Sequence, residues 1–430
     1  MTQPLRLGIA GLGTVGVGVI RMVQRHGEML ATRAGRPISI SAVSARNRDK
    51  DRGVDLSGYA WEDNAADLAA RDDVDLVVEL IGGIEGSARE TVEAAIAHGK
   101  DVVTANKALL AIHGHDLATK AEAAGLALRF EAAVAGGIPC VKALTEGLAG
   151  NKIERVMGVM NGTCNYILTR MESAGLPYET VFAEANDLGY LEADPTLDVG
   201  GIDAGHKLAL LAAAAFGIRV DFDAVRLEGI ERVTIDDITH AADMGFAIKL
   251  LGVAQLTGRG LDMRMSPCLV PLASPLGQLH GATNMVVFEG DAVGQIVLRG
   301  AGAGEGPTAS AVMGDIVDIA RGLRLPVFGV PADQLRAETR ANTGAPSPYY
   351  LRMDILDKPG ALAKIAACLG EAGISIDRMR QYDHADTNAP VLIVTHKAGR
   401  TELDAAIEAM ARTGVLASEP VAFRIEQIGE

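Results

Sequence analysis

The segment LRLGIAGLGTVGVGVIRMV, close to the N-terminus, constrains the fold more than any other part of the chain. A short apolar run, Leu5–Ala10, is followed at once by Gly11, Gly13 and Gly16 at G-x-G-x-x-G spacing, with Val15, Val19, Ile20 and Val23 at helical spacing behind them. This reads as a strand, a tight turn and a helix N-terminus, where backbone lacking Cβ atoms approaches a pyrophosphate and helix amides face it. The candidate cofactor contacts are Gly11, Leu12, Gly13, Thr14, Val15 and Gly16. A glycine-rich turn without a ligand is the plainer alternative.

Such a unit needs parallel partners. Strands are expected at Ile38–Val43, Val74–Leu80, Asp101–Thr104 and Leu126–Glu131, with helical stretches between them that stop at Gly99 and Gly125. Residues 1–130 therefore read as a doubly wound α/β domain of the Rossmann type. Residues 131–325 loosen into long helices, glycine-rich loops and strand candidates at Lys152–Met160, Asp262–Leu269 and Gln295–Leu298, an α+β domain. A helix over 308–323 is expected to pack back on the first domain. A linker, 326–348, contains NTGAPSP, and residues 349–430 then run strand, helix, strand, strand, helix, strand, the ferredoxin-like order. Three domains suit 430 residues at roughly 150 apiece.

Charge narrows the choice of partner. Forty basic and fifty-five acidic side chains leave a net −15 with no cationic run, which disfavours nucleic acid and anionic membrane. The apolar stretch LALLAAAAFGI falls short of the roughly 20 residues that span a bilayer, and the N-terminus lacks the organisation of a signal peptide. A soluble, cytoplasmic protein is expected. Cys140, Cys164, Cys268 and Cys368 are too scattered for a CxxC pair or a disulfide framework and read as small buried residues.

Two regions carry chemistry beyond the glycine turn. A cofactor of the NAD type wants an acid at the end of the second strand, but that strand ends VSARNRDK. Arg46 and Arg48 suit a 2′-phosphate, so NADP(H) is the expected preference, with NAD(H) still open and a solvated basic loop as the alternative. Ile81, Gly82 and Lys107 lie at carboxyl ends of parallel strands, where such sheets bind ligands. Lys107 falls where the nicotinamide end would sit, unless it only faces solvent at a helix start. The densest constellation is DLGYLEADPTLDVGGIDAGHK, residues 187–207, with Glu192, Asp194, Asp198, Asp203 and Lys207. Asp203 and Lys207 share a helical face at i, i+4, an arrangement worth roughly a few tenths of a kcal/mol as an ordinary ion pair. As a site, the carboxylates hold a substrate ammonium and the lysine passes a proton to a developing alkoxide. The acids lack D-x-D-x-D-G spacing and have no histidine cluster beside them, which disfavours a divalent-metal loop.

The motifs GLGTVG, TANK, FEAAVAGGIP, NGTCNYIL, GYLEADPTLDVGGIDAGHK and GAGAGEGPTASAV follow the order and approximate spacing of homoserine dehydrogenases, which the chain resembles over essentially its whole length. The length matches the form without a fused aspartate kinase. LDKPGALAKIAACLGEAGISI resembles an ACT domain, a small-molecule regulatory module. The resemblance implies NADP(H)-dependent interconversion of L-aspartate 4-semialdehyde and L-homoserine, on the branch leading to threonine, isoleucine and methionine. It implies Lys207 as general acid, Lys107 as its partner near the nicotinamide, and Glu192 and Asp203 as substrate carboxylates with Asp198 alongside. Thr163 and Tyr190 are further substrate candidates, while Gly189, Gly304 and Glu305 are placed by the cofactor. Backbone carbonyls of Glu131, Val134, Gly136 and Ile138 correspond to a sodium site. The turn at Asp357, Pro359 and Gly360 corresponds to an amino-acid site, with L-threonine as the expected inhibitor and a homodimer or homotetramer as the expected assembly.

Two alternatives fit parts of this pattern. A catalytically silent NADP(H) and amino-acid sensor would tolerate loss of Lys207, yet the constellation of acids and lysine is retained. Aspartate-semialdehyde dehydrogenases need an active-site cysteine, and neither Cys140 nor Cys164 has that context. The Arg–Glu–His arrangement of phosphoglycerate dehydrogenases is not evident.

Overall fold

Strands buried on both faces of a parallel sheet are rich in apolar residues, and LRLGIA, LVVE and DVVT meet that demand, whereas ISISAVS alternates, with Ser39 and Ser41 half-buried. A computed structural model describes residues 3–191, 194–341, 343–382 and 388–427. The chain divides into two units, one of Met1–Gly162, Ile202–Val225 and Ala282–Glu338, the other of Thr163–Gly201, Arg226–Gly281 and Thr339–Glu430.

The first unit holds a six-stranded sheet of β1 (Leu5–Ala10), β2 (Ile38–Ser44), β3 (Ala60–Glu62), β4 (Leu76–Glu79), β5 (Asp101–Thr104) and β6 (Leu128–Arg129). All pairs are parallel and the order is β3-β2-β1-β4-β5-β6, so the direction of winding reverses between β1 and β4. Ligands bind at such reversals, beyond the carboxyl ends of the strands. Sequence pattern does not anticipate β3, whose three residues AWE carry no apolar run. It also overextends β6, because Phe130 at φ −149, ψ 27 turns the chain into the 3-10 turn Glu131–Ala133.

The helices that matter to the site are α1 (Thr14–Ala34), α2 (Ser87–Ala97), α3 (Lys107–Ala123), α4 (Ile202–Phe216) and α5 (Glu305–Ala320). Helix α5 starts three residues before the expected 308 and packs on α1, as expected. Gly18 permits the approach, since a Cβ there would lie 2.9 Å from the Glu305 Cγ and 3.0 Å from the Ala309 Cβ. Val312, Ile316 and Ile319 of α5 thereby enter one core with Leu7, Ile9 and Val19. Strands Ile153–Val159, Thr283–Gly290 and Gly294–Ala301 add an antiparallel layer to this unit.

In the second unit, strands Phe246–Thr257 and Gly260–Pro271 form a long antiparallel pair. The C-terminal part runs Tyr349–Leu356, Ala361–Glu371, Ile376–Gln381, Asn388–Thr395, Arg400–Arg412 and Val421–Ile425, the expected βαββαβ order. Its strands pair antiparallel in the order 421–425, 349–356, 388–395, 376–381, and Val421–Ile425 also pairs parallel with Gly260–Pro271. Ile365, Leu369, Leu403 and Met410 seal its two helices onto the sheet. The four cysteines are buried and free of disulfides, and among the described residues no helix is long and apolar enough to cross a membrane.

Candidate active site

At the glycine turn, Gly11 has φ +102 and a Cβ there would lie 2.5 Å from the Leu80 carbonyl oxygen, while one on Gly16 would lie 2.0 Å from the Gly11 oxygen. Only glycine lets the β1–α1 turn, the end of β4 and the first turn of α1 come so close. Gly13 is the N-cap of α1, with no side-chain cap bond and no acid in the first turn, and the space around its missing Cβ is open. The uncapped amides and the open space fit a dinucleotide pyrophosphate. Leu12 is buried beneath the turn, whereas Thr14 is exposed and Val15 half-buried.

Arg46 and Arg48 are exposed just beyond β2. Arg48 lies 5.8 Å from the centre of the Trp61 ring on β3, and Arg52 lies 5.7 Å from it. Sequence reasoning missed Arg52, whose Nε donates to the Leu12 carbonyl at 3.2 Å and ties the basic loop to the glycine turn. Its signal was only a further cation after RNRDKD.

The ends of β4 and β5 are organised by two side chains. Glu79 is fully buried and accepts from the amides of Ile81 at 2.7 Å and Gly82 at 3.2 Å and from the Thr104 hydroxyl at 2.6 Å. Burial raises its pKa even though these donors favour the carboxylate. Asn106 caps α3 by accepting from the Leu109 amide at 3.1 Å and donates to the Gly83 carbonyl at 2.7 Å. The loop 81–83 and the start of α3 are thus fastened together, and Lys107 is the first residue of that helix. The role of Glu79 was not read from sequence, although an acid ending the apolar run LVVE was its signal.

Helices α3 and α4 bring Lys107, Asp203 and Lys207 into contact. The Asp203 carboxylate accepts from Lys107 Nζ on Oδ1 at 2.9 Å and from Lys207 Nζ on Oδ2 at 2.7 Å. Lys207 also donates to the Met160 carbonyl at 2.9 Å. The side chains of Lys207 and Asp203 are 10% and 9% exposed, and that of Lys107 is 32% exposed, so one cation of the pair is reachable from solvent. Burial alone would raise the Asp203 pKa, but the two ammonium groups and the bonds they donate outweigh it and hold the carboxyl well below its ordinary range. His206, stacked 4.2 Å from Phe222, is pushed below its ordinary pKa by burial and by both lysines, against the pull of Asp203. The resulting group is an ion-paired pair of lysines beside a neutral imidazole.

Thr163, Gly189, Tyr190 and Asp198 belong to the second unit. There the Thr163 hydroxyl donates to the Tyr190 carbonyl at 3.0 Å, and the Tyr190 ring lies 4.7 Å from that of Tyr166. Gly189 takes φ +72. Asp198 is buried and its carbonyl accepts from the Cys164 thiol at 3.3 Å. Glu192 lies outside the described residues.

Glu131 is buried and its side chain accepts from the amides of Val141 and Lys142 at 2.9 and 2.8 Å. Burial and the nearby Asp315 push its pKa up to about 7. Val134 and Ile138 are buried, and Gly136 has φ +56 with its missing Cβ 2.4 Å from the Gly302 oxygen, so the 134–138 loop lies backbone to backbone on GAGAG. Among the described residues no group of three histidine, cysteine or acidic side chains is arranged around a metal position. Gly304, at φ +116, precedes α5, and Glu305 pairs with Arg21 of α1 at 2.5 Å.

Comparison with known proteins agrees with this geometry. Residues 11–131 match the NAD-binding domain of homoserine dehydrogenase, 139–317 match homoserine dehydrogenase itself, and 349–414 match the ACT domain. The chain is 42% identical to a homoserine dehydrogenase of Pseudomonas aeruginosa over 99% of this chain and 100% of that one, and 37% identical to one of Bacillus subtilis over 99% of each. Among solved structures, it superposes on a homoserine dehydrogenase from Thiobacillus denitrificans with a TM-score of 0.92 at 41% identity, covering 99% of both chains.

Proposed function

The chain belongs to the homoserine dehydrogenase family, oxidoreductases acting on a CH–OH group with a nicotinamide cofactor, and we propose that it interconverts L-aspartate 4-semialdehyde and L-homoserine with a preference for NADP(H). The observation that carries the reading is the Asp203 carboxylate shared between Lys107 and Lys207.

The bound nicotinamide supplies or accepts the hydride. As the aldehyde is reduced, negative charge develops on its oxygen, and a fixed cation in a poorly hydrated site stabilises that charge where it forms. Lys207 directs two of its three ammonium donors to Asp203 and Met160, and the remaining one serves the substrate oxygen and transfers the proton. Lys107 polarises the same oxygen. Asp203 keeps both lysines charged and oriented until the substrate arrives. In the oxidative direction Lys207 must accept a proton, so alkaline pH favours that reaction.

The same reading assigns Glu192 and Asp198 to the substrate ammonium with Thr163 and Tyr190 beside them, and Arg46 and Arg48 to the 2′-phosphate. Gly189, Gly304 and Glu305 border the cofactor, and carbonyls of Glu131, Val134, Gly136 and Ile138 hold sodium. The enzyme works in the cytoplasm as a homodimer or homotetramer in threonine, isoleucine and methionine biosynthesis. Its domains are 1–130, 131–325 and 349–430, joined by 326–348. The ACT domain takes L-threonine at Asp357, Pro359 and Gly360 and inhibits; unchanged activity and heat stability at saturating L-threonine would remove that part. The mechanism itself is tested by Lys207→Ala, expected to lower kcat by about 10²–10⁴-fold while NADPH binding stays within twofold. An unaltered kcat would move the proton donor elsewhere.

A further inference from the structure

Glu79 ends the apolar strand β4 and is completely buried. Burying a carboxylate is costly, and apolar packing would hold the same strand end more favourably, so the acid points to something that packing cannot supply. What it supplies is a pair of acceptors. One oxygen accepts from the amides of Ile81 at 2.7 Å and Gly82 at 3.2 Å, and the other accepts from the Thr104 hydroxyl at 2.6 Å.

The bonds continue toward Lys107. The Thr104 hydroxyl oxygen accepts from the Asn106 amide at 3.0 Å, and the Asn106 side chain donates to the Gly83 carbonyl while capping α3. A closed ring therefore runs from Glu79 through the 81–83 loop to Asn106 and back through Thr104 on β5. Lys107 follows Asn106 directly, as the first residue of α3, and its ammonium reaches Asp203.

In the other direction the acid is tied to the glycine turn. Leu80, its neighbour in the chain, donates its amide to the Ala10 carbonyl at 2.7 Å. The Leu80 carbonyl oxygen lies 2.5 Å from where a Cβ on Gly11 would stand. One buried side chain thus joins the turn that suits a pyrophosphate to the lysine assigned to the substrate oxygen, and all of these groups belong to the first unit. The amides of Ile81 and Gly82 are occupied by Glu79, whereas nothing lies within 4 Å of the missing Cβ of Gly82.

We propose that Glu79, acting through Thr104 and Asn106, is a positioning residue for hydride transfer, fixing the spacing between the glycine turn that carries the dinucleotide and Lys107 at the substrate oxygen. The proposal rests on the dehydrogenase reading above. Glu79 and Thr104 are both fully buried and act through Lys107 and the 81–83 loop rather than on a reactant. Geometry of this kind matters because a misplacement of about 1 Å at reacting groups can cost about 10²-fold in rate.

The test compares Glu79→Gln, Thr104→Val and Thr104→Ser with the parent. Glutamine leaves one acceptor oxygen where the ring uses two; valine removes the hydroxyl at nearly constant shape, and serine restores it. For each, kcat and KM are measured with L-homoserine, NADPH binding by equilibrium titration, and the isotope effect on kcat with homoserine deuterated at the carbinol carbon. Glu79→Gln and Thr104→Val are expected to lower kcat about tenfold or more, with NADPH binding within about twofold and Thr104→Ser within about threefold of the parent kcat. Their isotope effect should be no smaller than the parent's, since hydride transfer is the step that is slowed. If Glu79→Gln does not fold, the two Thr104 variants decide the matter. Equal kcat in Thr104→Val and Thr104→Ser, a loss carried by NADPH binding or KM alone, or an isotope effect that vanishes overturns the proposal. A parent that oxidises homoserine alongside variants of unchanged kcat removes the positioning role alone, whereas a parent inactive with both NADP+ and NAD+ contradicts the reaction itself.

Discussion

Asp203 shows how one side chain can change the meaning of a common pattern. An i, i+4 acid and lysine on an exposed helix contribute roughly a few tenths of a kcal/mol. Here the same pair is buried and the carboxylate also holds Lys107 from another helix. Removing its charge leaves two neighbouring ammonium groups facing each other, so Asp203→Asn is expected to lower turnover at least about tenfold while NADPH binding stays within about twofold, and an unchanged turnover would detach Asp203 from the proposed proton donor. Stability has its own sign. The folded pKa of Asp203 is depressed, so its contribution is present above the ordinary carboxylate value of about 3.9 and is lost as pH falls through the folded value. Thermal unfolding should therefore separate parent from Asp203→Asn at neutral pH and bring them together in strong acid.

The elements around the site were legible in sequence to different degrees, for physical reasons. The strand, glycine turn and helix of residues 5–34 announce themselves because periodicity and glycine spacing are local. Lys207 and Asp203 were readable for the same reason. The contact of Lys107 with Asp203, the answering of the 81–83 amides by Glu79 and the reach of Arg52 to Leu12 join residues distant in sequence or pack a lone polar group, and no local pattern encodes them. β3 escaped notice because its three residues are held by β2 and by arginines over Trp61 rather than by their own apolar run. The α1–α5 contact at Gly18 belongs here too, and it is testable. Gly18→Val should push α5 from the core at a cost of about 1–3 kcal/mol, seen as a lower Tm. Gly27→Ala on the same helix, where a Cβ meets nothing within 4 Å, should leave the Tm unchanged or raise it. Equal losses in both would mean that the close approach is not what Gly18 provides.

At the scale of the molecule, a chain of net charge −15 is read as binding an anionic cofactor, and local cations must outweigh the long-range field. Arg46 and Arg48 stand where they can do so. Arg46→Ala/Arg48→Ala is expected to weaken NADPH at least tenfold and NADH by no more than twofold in equilibrium titrations; equal losses would refute the assignment to the 2′-phosphate. Two lysines on one carboxylate, a glycine turn open to a pyrophosphate and a full-length match to one enzyme family converge on a single reaction. Its most direct test is to mix the purified chain with L-homoserine and NADP+ at alkaline pH and follow the absorbance of the reduced cofactor. A steady rise that depends on both reagents and disappears with Lys207→Ala is the predicted result; no rise with either NADP+ or NAD+ would contradict the account.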